Sequence, residues 1–199
     1  RAAVVTDSNV EKLYLQPVMK SLVDAGFDPI SFVFPAGESS KNLHVLSEIL
    51  ESFADNGLTR SDIAIALGGG VTGDITGFAA GVYMRGIKYV QIPTTLLAAV
   101  DSSVGGKTAV DLSSGKNLAG VFLQPSSVIC DINTFSTLAP DIFADGAAEA
   151  IKYGVLTSER IFDVFERGEV KENIAELVSE CVTIKGRIIE EDEHDNSVR

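Results

Sequence analysis

Glu149 and Lys152 stand three apart in DGAAEAIKYG, a segment whose neighbouring residues are small or apolar. On a helix they share one face. A carboxylate with so little polar company needs a partner, and a metal ion or the adjacent ammonium would serve; a surface ion pair is the plainer alternative. Two more lysines lie on glycine-rich segments, Lys107 in DSSVGGKTAVD and Lys116 in LSSGKN, where Asn117 follows directly. Asp101 lies shortly before Lys107, and a carboxylate and an ammonium converging on one loop make either a structural pair or a substrate clamp. Two glycine loops each presenting a lysine raise the clamp reading. GGKT is not the end of a nucleotide P-loop, because that pattern demands a glycine where this chain has Asp101, and the stretch after Thr108 has no helical period. No H-E-x-x-H occurs, and the two histidines, His44 and His194, are not at metal spacing from Glu149.

Two other segments could bind a dinucleotide or a substrate. In DIAIALGGGVTGD an apolar strand runs straight into Gly68, Gly69 and Gly70 and then a helix, so backbone can approach a pyrophosphate and the helix N-terminus supplies donors. Glycine turns after strands also arise for steric reasons alone. Asp74 either caps that helix or accepts a hydrogen bond from a ribose or substrate hydroxyl. VQIPTTLLAAVDSS places Thr94 and Thr95 at another strand end, where a helix cap is the simple reading.

The elements that must position these residues follow from periodicity. AAVVT, ISFVF, IAIAL and YVQI are apolar runs, and the first three are each followed by a helical pattern, the first on Val10, Leu13, Tyr14, Val18 and Leu22, the second on Leu43, Leu46, Ile49, Leu50 and Phe53. Strands apolar throughout and alternating with helices predict a Rossmann-like parallel sheet covered on both faces, with ligands at the carboxyl ends of its strands. From about Asn133 the pattern turns to helices only, near 144–156, 161–167 and 173–190. The expected organisation is an α/β domain over 1–132 and the start of an all-helical domain over 133–199.

Of 199 residues 45% are hydrophobic, enough to bury a core. The net charge of −12, from 16 basic against 28 acidic residues, argues against a nucleic-acid or anionic-membrane partner. Isolated cations in such a chain suggest a small anionic ligand, although any one of them can be an ordinary surface residue. Cys130 and Cys181 show no pairing pattern, so a reducing interior is the default, and no run reaches membrane-span length. Opening in mid-strand suggests a piece cut from something longer.

Taken together, GGGVTGDITGFAAGVYMRG, QIPTTLLAAVDSSVGGKTAVD, GKNLAG and GAAEAIKYG resemble the 3-dehydroquinate synthase family of the sugar phosphate cyclase superfamily, most densely from Gly68 to Tyr153. The resemblance implies an NAD-binding domain, a helical domain, a divalent metal (zinc, with cobalt as the alternative) and a cytoplasmic homodimer, plastid-borne in a plant or alga. It implies NAD contacts from Asp7, Asn9, Glu38, Lys41, Gly69, Gly70, Val71, Asp74, Thr94, Thr95, Lys116, Thr134, Phe135, Ser136 and Thr137. The phosphorylated sugar acid would meet Arg85, Asp101, Lys107, Asn117, Lys152, Lys185, Asp195 and Arg199, with Glu149 as first metal ligand. The implied reaction converts 3-deoxy-D-arabino-heptulosonate 7-phosphate to 3-dehydroquinate and phosphate by transient oxidation, β-elimination, re-reduction and intramolecular aldol closure. The pattern departs from the family at Asp195, where Glu is typical, at Asp145, where Asn is common, and in APDI before Phe143. Two histidine ligands are expected after the position of Arg199, so the chain alone is not expected to complete the reaction. Sister cyclases, a metal-dependent polyol dehydrogenase and a non-catalytic NAD-binding module are the rival readings.

Overall fold

Apolar residues on both faces of each strand leave the sheet no wet side, which demands cover above and below. The computed structural model describes residues 1–193 and 195. Among them the strands are β1 (Ala2–Asp7), β2 (Pro29–Phe34), β3 (Ile63–Gly68), β4 (Lys88–Pro93), β5 (Lys107–Leu112), β6 (Gly115–Phe122) and β7 (Ser127–Val128). Five form one all-parallel sheet in the order β2-β1-β3-β4-β7, and β5 pairs antiparallel with β6. By contacts the chain divides into two units. The first is Arg1–Pro93 with Gly106–Ile129; the second is Thr94–Gly105 with the chain from Cys130 onward.

In the first unit, alternate residues of a strand enter different cores. Ala3, Val5 and Ala64 join Phe34, Ile49, Phe53, Ile75 and Tyr89 under helices α2 (Leu43–Asp55) and α3 (Gly70–Val82), while Ala2, Val4, Ile65 and Leu67 meet Leu15 beside α1 (Gln16–Asp24). Asn42 starts α2, its Oδ1 accepting from the amides of His44 (2.9 Å) and Val45 (3.0 Å). That cap makes Leu43 the first helical residue, where it is 51% exposed, and Val45 takes the core position instead. Leu13 is also exposed, because it falls in a wider π-helical turn, Glu11–Leu15, that breaks the period ahead of α1.

Helix α3 owes its small residues to close approach. A Cβ on Gly73 would stand 2.7 Å from Gln91 Oε1, and one on Gly77 would collide with Thr108, so α3 lies directly against β4 and β5. Beside it Tyr89 is buried, donating from its hydroxyl to Leu123 O (3.1 Å) and accepting from Gln91 Nε2 (3.1 Å). Burial, with the Asp74 charge adding to it, pushes its phenol up to about 12. In alkaline spectrophotometric titration Tyr89 should therefore stay protonated above pH 10. Because the unfolded chain ionises first, stability should fall as pH rises through the unfolded value near 10. A Tyr89→Phe variant with an unchanged alkaline stability profile would refute the assignment.

The second unit is helical: a π-helical turn (Ala98–Ser102), a 3₁₀ turn (Ile132–Thr137), α4 (Pro140–Thr157), α5 (Glu159–Glu166) and α6 (Ile174–Glu191). Pro140 begins α4 where its missing N–H costs nothing, and Ser158 caps α5 by accepting from Ile161 N. Its core gathers Leu96, Val100, Phe135, Ala150, Ile161, Leu177 and Cys181. No helix among the described residues is long and apolar enough to cross a membrane.

Candidate active site

Within the first unit Asp7 and Gly69 lie at the carboxyl ends of β1 and β3, whereas Lys107 and Lys116 lie at the starts of β5 and β6 and Arg85 follows α3. Asp7 ends β1, and its Oδ1 accepts from the amides of Asn9 (2.8 Å) and Val10 (3.1 Å), so its carboxylate holds the turn into the next helix. Gly69 precedes α3 and no side chain caps that helix, which leaves donors of its first turn open at the strand end. Asp74 does not cap α3. Its Oδ2 instead lies 2.5 Å from Nζ of Lys41, whose side chain is only 6% exposed, and the same ammonium donates to Asn117 Oδ1 at 2.5 Å. Asn117 has φ +57°, and its amide donates to Asp111 Oδ1 at 2.7 Å.

The glycine loops resolve into a β-hairpin. Lys107 is the first residue of β5 and exposed; Lys116 lies in β6, where its ammonium sits 3.0 Å from Glu38 Oε1, which holds its pKa up. Gly105 and Gly106 take φ of +114° and +66°, values that favour glycine, so GG in GGKT is there first to turn the chain. Arg85 is exposed at φ +69° directly after Met84 at +51°, two consecutive left-handed residues that would have to be held by their surroundings.

Within the second unit, Thr95 Oγ1 caps the turn by accepting from Ala98 N (3.1 Å), while Thr94 Oγ1 is buried with no hydrogen-bond partner among the described residues. Lys185 of α6 donates to the Asp101 carbonyl (2.6 Å) and to its Oδ1 (2.5 Å), tying the helix to the turn that carries Asp101. Thr134 and Phe135 are buried in the 3₁₀ turn, with Ser136 and Thr137 exposed. Glu149 and Lys152 form the expected pair on α4, with Lys152 more than half exposed. The ammonium forms an ion pair with Glu149 Oε1, a buried oxygen that has no hydrogen-bond partner among the described residues. Asp195 is exposed; His194 and Arg199 lie outside the described residues.

Two groups escaped the sequence reading. Tyr153, 5% exposed, follows Glu149 by one helical turn, and its phenol is pushed far up by burial and then by the charges of Asp101 and Glu149. Cys181 is fully buried, and burial with nearby Glu180 and Glu149 pushes its thiol up to about 12. Both stay neutral at physiological pH. The i, i+4 spacing from Glu149 was the available signal for Tyr153; Cys181 had none.

The position of α4 depends on Gly146. A Cβ there would lie 2.5 Å from Leu97 N and 2.6 Å from Leu96 Cβ, against backbone that cannot rotate away. Gly146→Ala is expected to destabilise the protein by about 1–3 kcal/mol. Urea unfolding would measure it, and an unchanged midpoint would contradict the packing described.

The first unit thus has a parallel sheet whose third strand runs into an uncapped glycine turn, an arrangement common to dinucleotide-binding folds, and the second presents a buried carboxylate beside Lys152. The particular family is shown by sequence: residues 31–145 match the model for the 3-dehydroquinate synthase N-terminal domain and residues 146–199 that for its C-terminal domain, so the chain belongs to the 3-dehydroquinate synthase family. A 3-dehydroquinate synthase of Clostridium acetobutylicum is 45% identical over 203 residues, covering 100% of this chain and 57% of that relative. The chain thus spans little more than half the length of the curated relatives it matches. Among solved structures, a 2-epi-5-epi-valiolone synthase from Streptomyces hygroscopicus with NAD+ and Zn2+ bound superposes with TM-score 0.91 at 26% identity, covering 99% of this chain and 57% of that one. A 2-deoxy-scyllo-inosose synthase complexed with carbaglucose-6-phosphate, NAD+ and Co2+ gives 0.84 at 26%, covering 98% and 56%.

Proposed function

We propose that the full-length protein is a 3-dehydroquinate synthase, converting 3-deoxy-D-arabino-heptulosonate 7-phosphate to 3-dehydroquinate and phosphate, and that it works as a cytoplasmic homodimer. The observation that carries this reading is the 45% identity to a 3-dehydroquinate synthase along the whole chain, against 26% to cyclases of other products. Residues 1–132 are assigned to cofactor binding, with Arg85, Asp101, Lys107 and Asn117 of that stretch turned to the substrate, and 133–199 to metal and the rest of the substrate contacts.

The first turn of α3 fits a dinucleotide, since it follows the end of β3 and its amide donors are not capped by a side chain. NAD, when bound, supplies reversible hydride transfer. Glu149 fits a divalent cation as a single ligand, having a buried oxygen without a hydrogen-bond donor, but no group of three His, Cys, Asp or Glu that could complete a site occurs among the described residues. Lys107, Lys152 and Arg85 are assigned to the phosphate and carboxylate of the substrate, where a guanidinium can fork across two oxygens and an ammonium acts as a point charge. Lys185 holds Asp101 in one orientation, with Asp195 and Arg199 assigned to the substrate by resemblance alone.

Phosphate release from the heptulosonate phosphate by the full-length protein, with and without NAD and zinc, tests the reading. Release that depends on both, with 3-dehydroquinate as product, supports it. A folded, NAD-binding protein that releases no phosphate from this substrate but cyclises another sugar phosphate would assign it to a sister activity.

A further inference from the structure

We propose that Lys41 is a positioning residue that fixes the side-chain amide of Asn117 with its Nδ2 protons outward, so that Asn117 meets a ligand only as a hydrogen-bond donor. A lysine ammonium has donors and no acceptor, so the Asn117 atom at 2.5 Å from Nζ has to be the carbonyl oxygen. Turning the amide over would press NH₂ against the buried NH₃⁺, losing that hydrogen bond and setting donor against donor. The backbone enforces the same arrangement. Lys41 O accepts from Asp111 N at 2.8 Å, and Asp111 Oδ1 accepts from Asn117 N at 2.7 Å, so one short segment holds both the main chain and the side chain of the hairpin position. Asp74, at 2.5 Å, balances the charge of the buried ammonium. Asn117 is exposed, and its Nδ2 donates to nothing among the described residues.

The partner is then an oxygen acceptor on the ligand, whether phosphate, carboxylate or hydroxyl; that it belongs to a phosphorylated sugar acid rests on the function proposed above. Sequence resemblance puts Lys41 among cofactor contacts, whereas the geometry assigns its ammonium to orienting another residue.

The test uses the full-length protein. Lys41→Met alone strands a buried carboxylate, so it is paired with Asp74→Asn, and folding is confirmed by circular dichroism. With ¹⁵N-asparagine labelling, Asn117 should show one ordered side-chain amide in the wild type and rotational averaging in the double variant. Unchanged order in a folded double variant overturns the proposal whether or not the enzyme turns over. At saturating NAD, the double variant should raise KM for the heptulosonate phosphate about tenfold, as for one lost hydrogen bond. Adding Asn117→Ala should then cost no more than Asn117→Ala costs by itself. Fully additive effects would also overturn it. A wild type with an ordered Asn117 amide but no activity would remove the functional reading and leave the positioning role standing.

Discussion

Replacing Glu149 by glutamine in the full-length protein is expected to abolish retention of a divalent metal while NAD affinity stays at the wild-type level. Glutamine keeps the length and shape of the side chain, so α4 should hold its packing, but it removes the anionic oxygen that is buried without a hydrogen-bond partner. Altering a group behind a ligand already costs about 10- to 100-fold in affinity, and loss of a ligating charge should exceed that. The neighbourhood sharpens the effect. Tyr153 and Cys181 are held neutral, and among the described residues the carboxylates nearby already have partners, Asp101 in Lys185 and Glu180 in Arg160. Metal analysis after dialysis reads the result, with NAD titration by calorimetry as the internal control. Stoichiometric metal in the variant would refute the assignment of Glu149.

Lys152→Ala in the full-length protein is expected to lower kcat/KM roughly 10- to 100-fold, the range for losing a hydrogen bond from a charged group. The alternative is that Lys152 merely pairs with Glu149. With Lys152 54% exposed, solvent screens its pairing with the more buried Glu149, so thermal stability should change by about 1 kcal/mol or less in either case. The two accounts separate on kinetics: a substrate role lowers kcat/KM at constant Tm, whereas an unchanged kcat/KM would leave the lysine as surface decoration.

Much of the architecture is legible in the residues. Runs such as IAIAL are apolar on both faces and each is followed by a helical pattern, and that alone implies a parallel sheet with two covered sides. The β5–β6 hairpin was not legible. KTAVDL and GKNLAGVF alternate over short lengths between glycines, and only their packing on the small residues of α3 makes strands of what reads as two loops. Periodicity gave the Glu149–Lys152 pair, because both residues sit on one helix. Spacing could not give the Lys41, Asp74 and Asn117 contact, since three distant segments must fold before a charged side chain is buried. The exposure of Leu43 shows the limit from the other side: an apolar residue at the right period stays in water when the helix cap puts it at the end.

The route of the chain between its two units carries a consequence for recombination. It crosses at Pro93–Thr94, at Gly105–Gly106 and again at Ile129–Cys130, and the short excursion brings Leu96, Ala99 and Val100 into the helical core. A gene exchange with one breakpoint near residue 130 would transplant the helices and leave those three side chains behind in the wrong parent. Chimaeras between relatives should therefore survive only when 94–105 travels with the helices it packs on, so the two units are inherited together even where they could diverge separately.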